Sequence, residues 1–239
     1  KKNIIDYKKI ILNIKNNKGL YDIVYNSLLY DNNCIITQDN VLVIYQNGKD
    51  FNLEILRDNI KSIETYTISN FKVIVYSYEL LEKIDSNTEI INKLIPGKYI
   101  DNTLLYIMSN LTSNNIVIMD SSKLITFNID LLFKDYNLVY LELEKKLDLI
   151  DLEYDRKYWM IKNMLLKLGF NTDIILINLE FFFYKNSKQI INMTEYLIKN
   201  NIFNDNWLII NITLLMHCNN KINLYGEKYY LFDSTNKLL

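Results

Sequence analysis

Residues Asn115 to Phe133 read Asn-Ile-Val-Ile-Met-Asp-Ser-Ser-Lys-Leu-Ile-Thr-Phe-Asn-Ile-Asp-Leu-Leu-Phe. This is the pattern of a buried strand, an acid at the strand's carboxyl end, a second short apolar run, and a helix start. In an open α/β sheet, ligands bind outside the carboxyl ends of the strands. An acid held there is where a metal ion or a nucleotide ribose would be met. Asp120 is therefore the first candidate site residue, provided that the rest of the chain builds such a sheet.

The remaining segments support an α/β layered fold with a largely parallel sheet, because strand patterns alternate with helical ones. Strands are expected at Lys9 to Ile14, Val41 to Tyr45, Phe71 to Tyr76, Ile116 to Met119, Leu138 to Leu143 and Ile174 to Leu179. Two short strand-like runs close the chain, Ile222 to Leu224 and Tyr229 to Phe232. Helical spacing marks Tyr21 to Leu29, Phe51 to Tyr66, Ile100 to Ser109, Tyr158 to Leu168, Lys188 to Lys199 and Asn206 to Leu215. Gly169 is placed to cap the fourth of these. Ile84 to Gly97 is less regular and ends in the only proline, Pro96, and Glu144 to Asp155 reads as a charged surface loop or partly ordered helix. No internal repeat or linker divides the chain, so one domain over residues 1–239 is expected.

Charge and residue usage narrow the chemistry. The formal net charge is −1, which leaves no electrostatic footprint for nucleic acid. Arginine occurs only at Arg57 and Arg156, so a bidentate phosphate clamp is not expected. Five glycines and the absence of GxGxxG and GxxxxGK[ST] argue against a glycine-rich phosphate cradle. His217 is the sole histidine, has no motif around it, and is read as structural. The acids Asp148, Asp151, Glu153 and Asp155 lie in a polar run and are read as a solvated face. Cys34 and Cys218 form no metal-like pair and are read as free thiols, which points to the cytoplasm or another reducing compartment. No apolar run approaches the ~20 residues that span a bilayer, and the polar start Lys1-Lys2-Asn3 shows no signal-peptide pattern. Abundant Lys, Asn, Ile and Tyr reflect AT-rich coding, so the sequons at Asn110, Asn192 and Asn211 are read as chance matches.

Taken in order, these segments resemble the family 8 glycosyltransferases. The main match is Val117 to Phe133, set against an apolar strand, Asp-x-Asp, and Asp-Ile-Asp-x-Leu-Phe. The second is Leu168 to Glu180, similar to the family's Phe-Asn-Ser/Ala-Gly-Val-Leu-Leu-Ile-Asn-Leu run. Tyr25 to Leu29, Val41 to Tyr45 and Phe203 to Asn206 add weaker matches. The resemblance implies a GT-A fold, a Rossmann-like domain with a mixed central sheet flanked by helices. It implies a nucleotide-sugar donor, UDP-glucose or UDP-galactose, and a Mn²⁺ or Mg²⁺ ion bridging Asp-x-Asp and the diphosphate. Carried over residue by residue, Asp120 would meet the metal or the ribose, and Asn171 and Asp205 would meet the donor or acceptor sugar. Lys15, Asn16 and Ser122 would join Asp120 around the nucleotide sugar, with Lys15 screening phosphate.

Five departures bear on activity. Asp-x-Asp is here Asp120-Ser121-Ser122. The family's nucleobase loop is matched here by Lys15-Asn16-Asn17, without the family's acid and aromatic. Asp173 stands at a family glycine, and Trp207 stands at a family acid in Asp205-Asn206-Trp207. The family's C-terminal metal-binding histidine also has no counterpart before Leu239. The resulting expectation is a glycosyltransferase-like protein that is catalytically degenerate and keeps its fold for binding, or for assembly with a protein partner. The alternative is an active retaining hexosyltransferase that moves sugar from a UDP-sugar to a glycan or protein acceptor.

Overall fold

The computed structural model describes residues 22–47, 52–67, 71–81, 84, 86, 88–125, 128–130, 133, 139–143, 177–201, 210, 213–214, 222–223 and 231–233. Among them, strands β1 (Thr37–Tyr45), β2 (Lys72–Ser77), β3 (Ile90–Leu94), β4 (Ser113–Asp120), β6 (Val139–Leu143), β7 (Ile177–Lys185) and β8 (Ile222–Asn223) form one sheet. Its order is β3-β2-β1-β4-β7-β6-β8. The first four strands are mutually parallel; β7 runs antiparallel to both β4 and β6. The expected mixed sheet with flanking helices is what forms. A second small sheet pairs β5 (Lys123–Ile125) with β9 (Leu231–Asp233).

Both faces of the large sheet are apolar because both are covered. On one face, Val41, Val43, Ile74, Ile116, Ile118, Phe182 and Tyr184 pack against helices. Those helices are α1 (22–29) through Val24, α3 (Thr103–Ser109) through Leu105 and Met108, and α4 (Lys188–Lys199) through Ile190, Met193 and Leu197. On the other face, Leu42, Ile44, Val73, Val75, Val117, Met119, Phe181 and Phe183 meet α2 (Leu53–Tyr66) through Leu56, Ile60 and Ile63. Continuous apolar runs such as Val41 to Tyr45 are the signature of a strand buried on both sides. Helix α2 starts where Asn52 accepts the Glu54 N–H at 2.8 Å, and α4 starts where Ser187 accepts the Ile190 N–H at 3.3 Å. Such caps satisfy N–H groups that the helix itself leaves open and contribute about 1 kcal/mol each.

The structure differs from the sequence pattern at three places. Ile84 to Gly97 is not wholly irregular: β3 occupies Ile90–Leu94 at one sheet edge. Its half-exposed Ile-Ile-Asn-Lys-Leu pattern suits an edge, where polar residues are tolerated and the period is weak. The strand expected at Ile174 to Leu179 continues to Lys185 as β7 (Ile177–Lys185), taking in the aromatic run Phe181 to Tyr184; positions 174–176 lie outside the described residues. Aromatic side chains pack well on a pleated surface, and here they fill both faces of the sheet centre. The expected Ile100 to Ser109 helix divides into a 3₁₀ segment, Gly97–Asn102, followed by α3. The expected Asn206 to Leu215 helix is described only at positions 210, 213 and 214, all helical. The expected strand at Lys9 to Ile14, the helix at Tyr158 to Leu168 and the segment Glu144 to Asp155 lie outside the described residues.

Chain order fixes where a ligand can enter. From β1 the chain moves outward through α2 to β2 and β3, then returns to lay β4 on the other side of β1. The β1/β4 boundary is thus a topological switch point, and in open α/β sheets ligands bind at the carboxyl edge of such a point. Tyr45 and Asp120 are register partners at that edge.

Candidate functional site

Asp120 ends β4 and is only 5% exposed. Its Oδ1 accepts the Ser122 N–H at 2.7 Å, an Asx turn that reverses the chain into β5. The Ser121 N–H donates to the Tyr45 carbonyl at 2.8 Å, which ties the turn back to β1. Helix α2 holds the turn from the other side. Asn59 Nδ2 donates to the Ser121 carbonyl at 3.1 Å, and the Ser62 hydroxyl donates to the Ile125 carbonyl. Positions 59 and 62 are three apart, so they share one face of the helix. Asn59 is fully buried, and its Oδ1 has no hydrogen-bond partner among the described residues.

The neighbouring strand ends complete the edge. The Tyr78 N–H, just past β2, donates to Gln46 Oε1 at 3.0 Å, and Ser77 Oγ donates to the Glu79 carbonyl at 2.6 Å. Tyr45 OH donates to the Leu179 carbonyl of β7 at 3.2 Å. Burial pushes the Tyr45 phenol well above its ordinary range, and the nearby carboxylates of Asp120 and Glu180 and the Tyr78 hydroxyl push it further. Tyr45 therefore acts here as a neutral donor.

Glu180 belongs to this group by register. Met119 pairs with Phe181 in antiparallel β4/β7, so Glu180, one residue earlier, stands opposite Asp120, one residue later. Its carboxylate is paired with Lys123 Nζ at 2.7 Å. The Lys123 side chain is 7% exposed and that of Glu180 49%. A lysine buried to this degree is rare and is kept in place only by a partner for its charge. The cluster contains two carboxylates, one ammonium and one neutral phenol at the carboxyl edge of the sheet.

Among the sequence-derived candidates, Asp120 and Ser122 are brought together, with Ser122 exposed and bound to Asp120 through its backbone. Lys15, Asn16, Asn171 and Asp205 lie outside the described residues, as do Asn17, Asp173, Trp207 and His217. Tyr45, Asn59, Lys123 and Glu180 were not singled out from the sequence. Lys123 had a readable signal: in Lys123-Leu124-Ile125 the lysine shares the alternation phase of buried Ile125. Glu180 had none, because its place depends on the antiparallel register of β7. Among the described residues, no group of three or more His, Cys, Asp or Glu side chains is disposed to hold a metal ion. None of the described helices is long and apolar enough to cross a membrane.

No protein-family model matches the chain, and no curated protein matches it. Solved structures similar to it include the galactosyltransferase LgtC in complex with donor and acceptor sugar analogs, at 10% identity. That likeness covers 77% of this chain and 72% of that one, with a TM-score of 0.48. Mouse xyloside xylosyltransferase 1 is similar at 9% identity over 79% of this chain and 85% of that one, with a TM-score of 0.44. The bifunctional glycosyltransferase WbbM is similar at 9% identity over 81% of this chain, with a TM-score of 0.43, and the chain spans 40% of its length.

Proposed function

We propose that this chain is a family 8-like, GT-A-type protein that binds a UDP-hexose in the crevice at the carboxyl ends of β1 and β4. In this proposal metal-dependent sugar transfer is degenerate, and the fold serves binding or assembly with a protein partner. The observation that carries it is the position of Asp120. Its carboxylate is fixed at the switch point beside Tyr45, while the second acid of Asp-x-Asp is Ser122. Asp120 Oδ1 is committed to the turn, which leaves its second oxygen to accept a ribose hydroxyl.

A divalent cation fits these residues poorly. Hard cations prefer several oxygen ligands, and carboxylates supply most of the charge they need. Ser122 offers a hydroxyl without charge, and the Glu180 carboxylate is already engaged by Lys123. No role for Mn²⁺ or Mg²⁺ is therefore derived.

The test is calorimetry with UDP, UDP-glucose and UDP-galactose, alongside an assay for donor hydrolysis. Binding without hydrolysis supports the proposal. Micromolar binding that depends on Mn²⁺ and is accompanied by hydrolysis would overturn it.

A second reading, an active retaining hexosyltransferase, is favoured by Asp120, whose second oxygen is not used in the turn hydrogen bond. In that reaction the bond from the anomeric carbon to the diphosphate oxygen breaks, and a bond to the acceptor oxygen forms on the same face. The acceptor's proton passes to the departing diphosphate. Asp120 would orient the donor, with Asn171 and Asp205 meeting the sugars. Unchanged turnover of a verified substrate by Asp120→Ala would refute the role given to Asp120.

A further inference from the structure

The Lys123–Glu180 pair is not accounted for by the donor site as described so far. Lys123 follows the Asp120 turn directly, and its partner stands opposite Asp120, so the ammonium lies at the carboxyl edge of β4. The two ends of the pair are unequal. Lys123 is enclosed and fixed in a short strand paired with β9, whereas Glu180 is half-exposed. The lysine is largely shut off from water, while the side chain of its partner already stands half in solvent.

Resting on the UDP-hexose reading above, we propose that Lys123 is a built-in cation that binds the donor's diphosphate without a metal, and that Glu180 is the exchangeable anion holding its place. A diphosphate entering the crevice displaces the Glu180 carboxylate from Lys123 Nζ and takes over its charge-assisted hydrogen bond. The lysine stays paired throughout, which avoids the cost of an uncompensated buried charge. Phosphate oxygens suit this role because lysine serves as a point charge for them without the bidentate geometry that arginine requires. In the empty state Glu180 competes with the ligand. The ion pair thus has a consequence that a purely structural anchor for β5 does not: removing the acid improves ligand binding.

The experiment is calorimetry of the full chain with UDP, first in chelator and then with added Mn²⁺, with uridine as the control that lacks phosphate. The expected UDP affinity in chelator is within about threefold of that with Mn²⁺. Lys123→Met, which keeps the long apolar stem, is expected to weaken UDP binding at least about tenfold and leave uridine unaffected. Glu180→Gln is expected to tighten UDP binding several-fold. A structural anchor would instead give thermal destabilisation by both variants with no gain for Glu180→Gln, and that result overturns the inference. So does UDP binding that appears only with Mn²⁺, although it leaves the donor reading standing. Failure of UDP and UDP-hexoses to bind under either condition overturns the donor reading as well. The chelator comparison on the unaltered chain decides the matter even if Lys123→Met does not fold.

Discussion

Asn59→Leu separates the support of the Asp120 turn from the stability of the fold. Asn59 is fully enclosed next to Leu56, Ile60 and Ile63 on the face of α2 that meets the sheet. Its Nδ2 donates to the Ser121 carbonyl, while its buried Oδ1 has no partner among the described residues. Losing the bond costs about 0.5–1.5 kcal/mol, but removing a buried unpaired oxygen returns a cost of about 1–3 kcal/mol. Leucine nearly preserves the branched shape, and such volume-conserving swaps cost less than about 1.5 kcal/mol. The terms offset, so stability is expected to stay within roughly 1 kcal/mol, and Tm within about 4 °C. The turn, however, loses its attachment to the helix. UDP affinity should fall by roughly twofold to tenfold, the equivalent of one hydrogen bond that pre-orders the site. Urea denaturation and calorimetry on the same preparation read the two quantities. A stability loss above about 3 kcal/mol would mean that Asn59 serves the fold itself, through a fully satisfied amide. Unchanged UDP affinity would mean that the α2 clasp does not position the Asp120 turn.

Further expectations concern the scaffold. Phe182→Ala, at a fully buried position in β7 where the ring stacks on Tyr184, should cost about 3–5 kcal/mol in urea melts. Tyr45→Phe removes the bond to the Leu179 carbonyl and should cost about 1 kcal/mol. In the unaltered protein, the Tyr45 phenol should stay protonated beyond the usual tyrosine range in an ultraviolet pH titration. Because its folded pKa is raised, that stabilising contribution is complete below the unfolded pKa of 10.0 and is lost as pH rises through the folded value. At the amino end of the sheet, Glu195 joins α4 to the loop before β1. Burial pushes its carboxyl up, but hydrogen bonds from Lys199 and Asn32 outweigh this and hold it below its ordinary value. The contribution of Glu195 is present above the ordinary value of 4.5 and is lost as pH falls through the depressed folded value. Carboxyl-carbon NMR should show the depressed midpoint, and Lys199→Met should move it upward.

The fold was legible wherever burial on both sides leaves an unbroken apolar run. Val41 to Tyr45 and Ile116 to Met119 were found this way, as was α4, whose ends at Lys188 and Lys199 match the helical period. Edge strand β3 escaped because exposure dilutes its pattern. The carboxyl end of β7 was misplaced because Ile174 to Tyr184 is apolar almost throughout, so periodicity cannot mark where the strand ends. The site divides in the same way. Asp120 was readable as the first polar residue after a buried strand. Glu180 and Asn59 became site residues only through strand order, register and the face of α2, none of which is written in local spacing. Lys123 lies between the two cases: its phase marks it as buried, but its partner cannot be named without the sheet.

The central claim is that the β1/β4 crevice is a diphosphate-sugar site built around Asp120 and Lys123. A crystal structure with UDP-glucose, grown in chelator, tests it most directly. The expected density places the ribose against the free oxygen of Asp120 and the diphosphate on Lys123 Nζ, with Glu180 turned away to solvent. A nucleotide bound elsewhere on the sheet, or a Lys123–Glu180 pair intact beside a bound nucleotide, would contradict it.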